Sequence, residues 1–252
     1  MKKVSVRGIK IGEGLPKICV SLTEISKETI YKQVKVILQS SSVDIVEWRV
    51  DWFDSMCLEE VIEVLRNLRG MLGEIPLIFT FRSLEEGGQK SLDSFKYTQL
   101  LKAAVESECV DIVDIEVFKA GLEKSVLLSE LLSFAKEHKV TTLASYHDFR
   151  GTPSEENLMS RLEHMENLGV ELVKIAVMPE REQDVLTLLS VGQKYTAKEC
   201  HLPIAAISMG ELGKRSRISS QNFSPAFTFG FLGKGSAPGQ IHVNELRSLL
   251  LI

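Results

Sequence analysis

One lysine stands where an apolar run leaves it no obvious partner. Residues 170–178 read Val-Glu-Leu-Val-Lys-Ile-Ala-Val-Met, with Lys174 at the centre and Gly169 and Pro179 as bounds. The Val and Ile content marks a buried β-strand. An ammonium taken out of water without a partner tends to give up its proton. The neutral amine that remains is a nucleophile toward carbonyl carbon and forms Schiff bases. The competing explanations are a lysine snorkelling from a strand end and one paired with a buried carboxylate. One strand earlier, Ala144-Ser145-Tyr146-His147-Asp148-Phe149 brings an imidazole to a strand end. Histidine is the side chain suited to moving protons near neutral pH. His138, His164, His201 and His242 fall in helical or connecting segments, where solvated or capping roles are the default. None of the histidines or cysteines stands at metal-ligand spacing with His147, so no zinc site is expected.

Other charged residues fall at strand spacing. Glu47, Arg49 and Asp51 recur at intervals of two in Val46-Glu47-Trp48-Arg49-Val50-Asp51, which places them on one face of a strand. Either they serve a site or they form an internal ion-pair network, with Asp51 the most structural of the three. Thr80-Phe81-Arg82 ends another strand ahead of Ser83-Leu84-Glu85-Glu86-Gly87-Gly88, and Asp114 and Glu116 share a face of the next. Any of these carboxylates could pair with Lys174 or the arginines. Later come Ser208-Met209-Gly210, then Glu211 to Arg217, and the loop Gly233-Lys234-Gly235-Ser236-Ala237-Pro238-Gly239-Gln240. Glycines with a serine and a proline ahead of a helix offer backbone N–H groups and a helix dipole to an anion, although plain connections also use such residues.

The elements that must position these groups alternate along the whole chain. Apolar runs begin near Lys17, Asp44, Pro76, Val110, Val140, Glu171, Pro203 and Ala226, roughly 30 residues apart, the length of one βα unit. Between them lie helical patterns over Glu24–Leu38, Leu58–Met71, Leu92–Glu106, Leu122–Glu137, Ser154–Leu168 and Glu180–Ala197, a short one from Glu211, and a last one over Gly239–Leu250. Eight such units in one domain, residues 1–252, predict an α/β fold of the (β/α)8 TIM-barrel type; a doubly wound open sheet is the alternative. Val4, Val6, Ile9 and Ile11 flank Arg7-Gly8 and predict a short N-terminal β-hairpin capping the barrel bottom. In a barrel the active site lies at the C-terminal strand ends, where His147, Arg49 and Arg82 fall.

Composition narrows the function classes. The 252 residues are 44% hydrophobic, enough for one large core. The apolar runs are too short to cross a bilayer, and the opening Met1-Lys2-Lys3-Val4-Ser5-Val6 lacks an export signal. Cys19, Cys57, Cys109 and Cys200 are scattered and read as reduced thiols of a cytoplasmic protein. With 34 acidic and 30 basic side chains the net charge is −4, and no basic run implies nucleic acid or a membrane surface as partner. An anionic small-molecule substrate would have to be held by particular arginines.

Taken in order, the segments resemble type I 3-dehydroquinate dehydratase, an enzyme family of the shikimate pathway. The resemblance runs end to end. It includes Ile11-Gly12-Glu13-Gly14 with Pro16-Lys17, Glu47-Trp48-Arg49-Val50-Asp51, and Phe79-Thr80-Phe81-Arg82 with Glu86-Gly87-Gly88. It continues with His147-Asp148-Phe149, Val173-Lys174-Ile175-Ala176, Ser208-Met209-Gly210 through Ser216-Arg217, and Gly235-Ser236-Ala237-Pro238-Gly239-Gln240. By this resemblance Lys174 would form the Schiff base with 3-dehydroquinate, His147 would be general acid and base, and Glu86 would orient it. Arg217 would hold the substrate carboxylate, and Ser21, Glu47, Arg49, Arg82, Ser236 and Gln240 would contact the hydroxyls or line the site. Burial and nearby arginines would lower the lysine pKa for attack. The product would be 3-dehydroshikimate, no metal or organic cofactor would be needed, and the protein would be a homodimer. The rivals are a class I Schiff-base aldolase, a non-catalytic metabolite-binding barrel, and a structural protein whose polar interior is only an ion-pair network.

Overall fold

In the computed structural model, residues 2–197, 201–218, 225–233 and 235–251 are described; Cys200 and Lys234 lie outside them. Eleven strands and seven α-helices follow in this order: β1 (Val4–Val6), β2 (Ile9–Ile11), β3 (Lys17–Leu22), α1 (Lys27–Ile37), β4 (Ile45–Arg49), α2 (Leu58–Leu72), β5 (Leu77–Thr80), α3 (Ser94–Glu106), β6 (Ile112–Glu116), α4 (Val126–Glu137), β7 (Thr141–Asp148), α5 (Glu155–Asn167), β8 (Leu172–Val177), α6 (Glu182–Thr196), β9 (Ile204–Ser208), β10 (Phe227–Phe231), β11 (Ile241–His242) and α7 (Val243–Leu250). Strands β3 to β9 pair in chain order, all parallel, and β10 returns to pair with β3. The Ala226 N–H donates to the Ile204 carbonyl at 2.8 Å, joining β9 to the segment entering β10. The predicted (β/α)8 barrel is thus the observed architecture.

Alternation along the strands separates two interiors. Odd-face residues such as Val20, Val46, Trp48, Phe79, Val113 and Ile175 face the helices and join the large outer core. The helices meet them with stripes at spacings of three and four, as in Val61, Val64, Leu65, Leu68 and Leu72 of α2. The other face points into the barrel. Its lower tier is apolar: Cys19, Ile45, Ile78, Ile112, Leu143, Leu172, Ala205 and Phe227. Two residues on, the same strands carry Ser21, Glu47, Thr80, Asp114, Ser145 and Lys174, and two further on Arg49, Arg82, Glu116 and His147.

The hairpin stoppers the lower end. β1 and β2 pair antiparallel around Arg7 and Gly8, both with positive φ, as a two-residue hairpin turn requires. Val6 and Ile11 are buried against the lower tier. Arg7 Nε donates to Asp111 Oδ1 at 2.6 Å; Asp111 also takes Arg69 Nη1 at 2.7 Å and the Leu77 N–H at 2.8 Å. The hairpin tip is thereby tied to the start of β6.

Several boundaries differ from the sequence expectation, each for a local reason. Helices α1 and α4 start late because Ser26 and Ser125 cap them with their side chains. The last helix starts at Val243 rather than Gly239, because Ile241–His242 first adds a short strand beside β10 and His242 then caps α7. β4 ends at Arg49, and Val50–Trp52 turns as a 3-10 helix, so Asp51 leaves the strand face it was predicted to share.

Candidate active site

The C-terminal ends of the strands converge on one pocket, lined by Ser21, Glu47, Arg49, Arg82, Glu86, His147, Lys174, Arg217, Ser236 and Gln240 among others. All the residues that the family resemblance assigned to the site line it, whereas Asp51, Asp114 and Glu116 do not. Lys174, mid-β8, is buried, with Nζ 3.5 Å from Glu47 Oε1, 3.9 Å from Asp114 Oδ2 and 4.2 Å from the centre of the Phe229 ring. Two carboxylates and an aromatic face thus surround the lysine nitrogen.

Glu47 is the next layer of support. Ser21 Oγ donates to its Oε2 at 2.5 Å and Thr80 Oγ1 to its Oε1 at 2.9 Å. Burial alone would raise its carboxyl, but Lys174, Arg49, the Ser21 hydroxyl and Arg82 together hold it down at about 2. Glu47 is therefore an anion in this site at any ordinary pH. Arg49 grips Asp51 with two bonds, Nε to Oδ1 at 2.7 Å and Nη2 to Oδ2 at 2.8 Å. Asp51 itself is fully buried, accepts the Arg82 and Gln89 N–H groups, and is absent from the pocket wall. Its work is to fold the loop after β5 against Arg49.

Arg82 is the hub of the upper tier. Nη2 donates to Asp114 Oδ2 at 2.8 Å, and Nη1 reaches Glu116 Oε1 at 3.0 Å, Ser145 Oγ at 3.0 Å and Glu86 Oε2 at 3.3 Å. Glu86 Oε2 also meets His147 Nδ1 at 2.9 Å and accepts the His147 N–H at 3.1 Å. Nδ1 is thus engaged, and Nε2 is the ring nitrogen left for a ligand. Burial, reinforced by the Arg82, Lys174 and Arg49 cations, holds the imidazole well below its ordinary value. Burial likewise pushes the Glu86 carboxyl up, with Glu116 and Asp114 adding like-charge repulsion against the pull of Arg82. The lowered imidazole leaves His147 uncharged at neutral pH and able to accept a proton. The turn is closely packed: a Cβ on Gly87, at φ +85°, would lie 2.2 Å from the Phe149 ring.

Arg217 is different from the other arginines. It is buried, yet among the described residues its contacts are the carbonyls of Phe229 at 3.1 Å and Pro238 at 3.2 Å, and Nε has no partner there. Burial lowers it to about 10, so it stays charged at neutral pH without an acidic partner. Gln240 organises the adjacent loop, accepting the Ser236 and Ala237 N–H groups and donating to Ser236 Oγ at 3.0 Å. Gly239, at φ +73°, lets that loop approach β9 so closely that a Cβ would sit 2.1 Å from the Gly210 carbonyl. Among the described residues, the His, Cys, Asp and Glu side chains form no group that could hold a metal ion, and no helix is long and apolar enough to cross a membrane.

Sequence reading left out Thr80, which bonds Glu47, Ser145, which bonds Arg82 and Asp114, and Phe229, whose ring lies by Lys174, as well as Ala176, Ile207 and Met209 of the pocket wall. The signal was available in the period of two, since Thr80 precedes Arg82 and Ser145 precedes His147 by two positions.

Fold and pocket together define a class: a (β/α)8 barrel whose mouth gathers a lysine, a histidine–carboxylate couple and an arginine without an acidic partner among the described residues. The model of the type I 3-dehydroquinase family matches residues 18–252. The chain is 42% identical to a 3-dehydroquinate dehydratase of Clostridioides difficile (strain 630) over 250 residues, 99% of this chain and 96% of that one. It is 40% identical over 253 residues to that of Salmonella typhimurium, covering 100% and 98%. Among solved structures, a Clostridium difficile type I enzyme with covalently modified comenic acid superposes with TM-score 0.93, at 42% identity and covering 99% and 97% of the two chains. The Geobacillus kaustophilus enzyme gives 0.92 at 32% identity, covering 99% and 95%. The chain belongs to the type I 3-dehydroquinase family.

Proposed function

We propose that this chain dehydrates 3-dehydroquinate to 3-dehydroshikimate in the shikimate pathway through an imine on Lys174, with His147 moving the protons. The single observation that carries this reading is the placement of a buried lysine and an uncharged, carboxylate-backed imidazole in one pocket. The Lys174 amine adds to the C3 ketone, and loss of water gives the protonated imine. That cation withdraws electrons from C2, so His147 Nε2 can take the C2 proton and leave an enamine. The enamine expels the C1 hydroxyl, which the same imidazolium protonates to water. Hydrolysis of the remaining imine returns the amine and frees the product. The imine is its own electron sink, so the scheme uses no metal or organic cofactor. Arg217 supplies the missing counter-ion for the substrate carboxylate, where a guanidinium can bond both oxygens at once. The loop around Ser236 and Gln240 closes over the bound molecule.

That the Clostridium relative was solved with covalently modified comenic acid is in keeping with covalent chemistry in this family. The deciding test is the intact mass after borohydride treatment with and without 3-dehydroquinate, followed by peptide mapping. A substrate-dependent adduct on Lys174 is expected; folded protein without an adduct would overturn the imine. Arg217→Lys is expected to raise KM, since an ammonium lacks the fork, and an unchanged KM would put the carboxylate elsewhere.

A further inference from the structure

The upper tier contains a carboxylate that the proposed mechanism leaves unused. Glu116, the last residue of β6, is fully buried. Its Oε1 accepts the Ser83 N–H at 2.8 Å and Arg82 Nη1 at 3.0 Å, whereas Oε2 is buried without a partner among the described residues. A buried anionic oxygen with nothing to accept is costly. Ser83 opens the short turn Leu84–Glu86, so the Ser83 bond ties Glu116 to the backbone that carries Glu86. Glu116 also takes the nearer share of Arg82 Nη1, leaving Glu86 at 3.3 Å, while Nη2 is committed to Asp114.

The surroundings single out Glu116. From β4, Glu47 and Arg49 face the couple, but Glu47 is matched by Lys174 of β8 and Arg49 by Asp51. Asp114 is matched by Arg82. Tyr146 of β7 bonds Asp148, and Tyr97 of α3 accepts the Glu116 N–H at 2.9 Å. After burial itself, Glu116 is the largest influence raising the Glu86 carboxyl.

We propose that Glu116 is a positioning residue for proton transfer: it fixes the Glu86 turn through Ser83 and, by drawing Arg82 away from Glu86, sets the proton affinity of the Glu86–His147 couple. The inference rests on His147 being the general base of the proposed function. Glu116→Gln keeps an acceptor for Ser83 and Arg82 but removes the charge. Arg82 is then free to neutralise Glu86, and the couple holds its proton less tightly.

Two measurements on the full-length protein test this. The acid limb of kcat/KM for 3-dehydroquinate is expected to move to lower pH by about one unit in E116Q, tenfold in proton concentration. The His147 imidazole titration, followed by NMR without substrate, should move the same way. Folded E116Q with both curves unmoved would overturn the proposal. Should E116Q fail to fold, Glu116→Asp decides: the shorter arm no longer holds Arg82 away from Glu86, so the limb is expected to move to lower pH as in E116Q, and a folded E116D with an unmoved limb would overturn the proposal. Wild-type protein that does not turn over 3-dehydroquinate would refute the proposed function, while the imidazole titration would still decide the role of Glu116.

Discussion

The lower and upper halves of the barrel interior are built from the same strands and differ in every other respect. The Cys19–Leu172 tier is apolar and sealed by Val6 and Ile11. About 7 Å further along, two residues at strand rise, Glu47, Asp114 and Lys174 stand buried, and above them Arg82 meets three carboxylates. A buried Ile or Leu contributes about 1.5–3 kcal/mol through lost contact with water. A buried ion pair contributes little net stability, and breaking it is costly. The lower half therefore stabilises the fold on which the upper half spends charge.

Substitutions that treat the halves oppositely sharpen this contrast. Lys174→Met is expected to lower turnover on the order of 10⁵-fold or more while leaving a folded protein, as a melt by circular dichroism would show. Residual turnover near the wild-type level would reduce the upper half to an ion network. Arg82→Met strands three carboxylates and is expected to cost about 3–5 kcal/mol in urea unfolding; a neutral result would mean the carboxylates repack around protons. Glu47 gives a pH signature. Its folded carboxyl lies near 2 rather than the ordinary 4.5, so its stabilisation is present above the unfolded value and is lost as pH falls from about 4.5 toward 2. Glu47→Gln should remove roughly 3 kcal/mol of that acid dependence, and an equally steep acid transition in the variant would place the linkage elsewhere. Last, Ile78→Val in the lower tier is expected to cost about 0.5–1.5 kcal/mol with kcat/KM unchanged. A loss of activity there would show that the halves are mechanically coupled.

The sequence exposed the two halves unequally. Strand starts were legible to within a residue or two, because short Val- and Ile-rich runs separated by helical stripes leave little freedom. Lys174 and His147 stood out for the same reason: a lysine inside an apolar strand and an imidazole at a strand end violate the local pattern. The convergence of Asp114, Glu116 and Glu86 on one guanidinium could not be read, since those contacts join β5, β6 and the intervening turn across up to 34 positions. Asp51 shows the limit most plainly. Its spacing put it in line with Glu47 and Arg49, but strand period holds only while the strand lasts, and the chain turns at Val50. Phe229 carried no polar signal at all, although its ring covers Lys174.

The N-terminal hairpin also governs traffic. With Val6 and Ile11 filling the lower end and Arg7 latched to Asp111, the described residues close the barrel at the end opposite the mouth. In the proposed reaction, substrate, product and each water made or consumed at Lys174 would pass through the mouth, so whatever sits over it would decide the sequence in which they come and go.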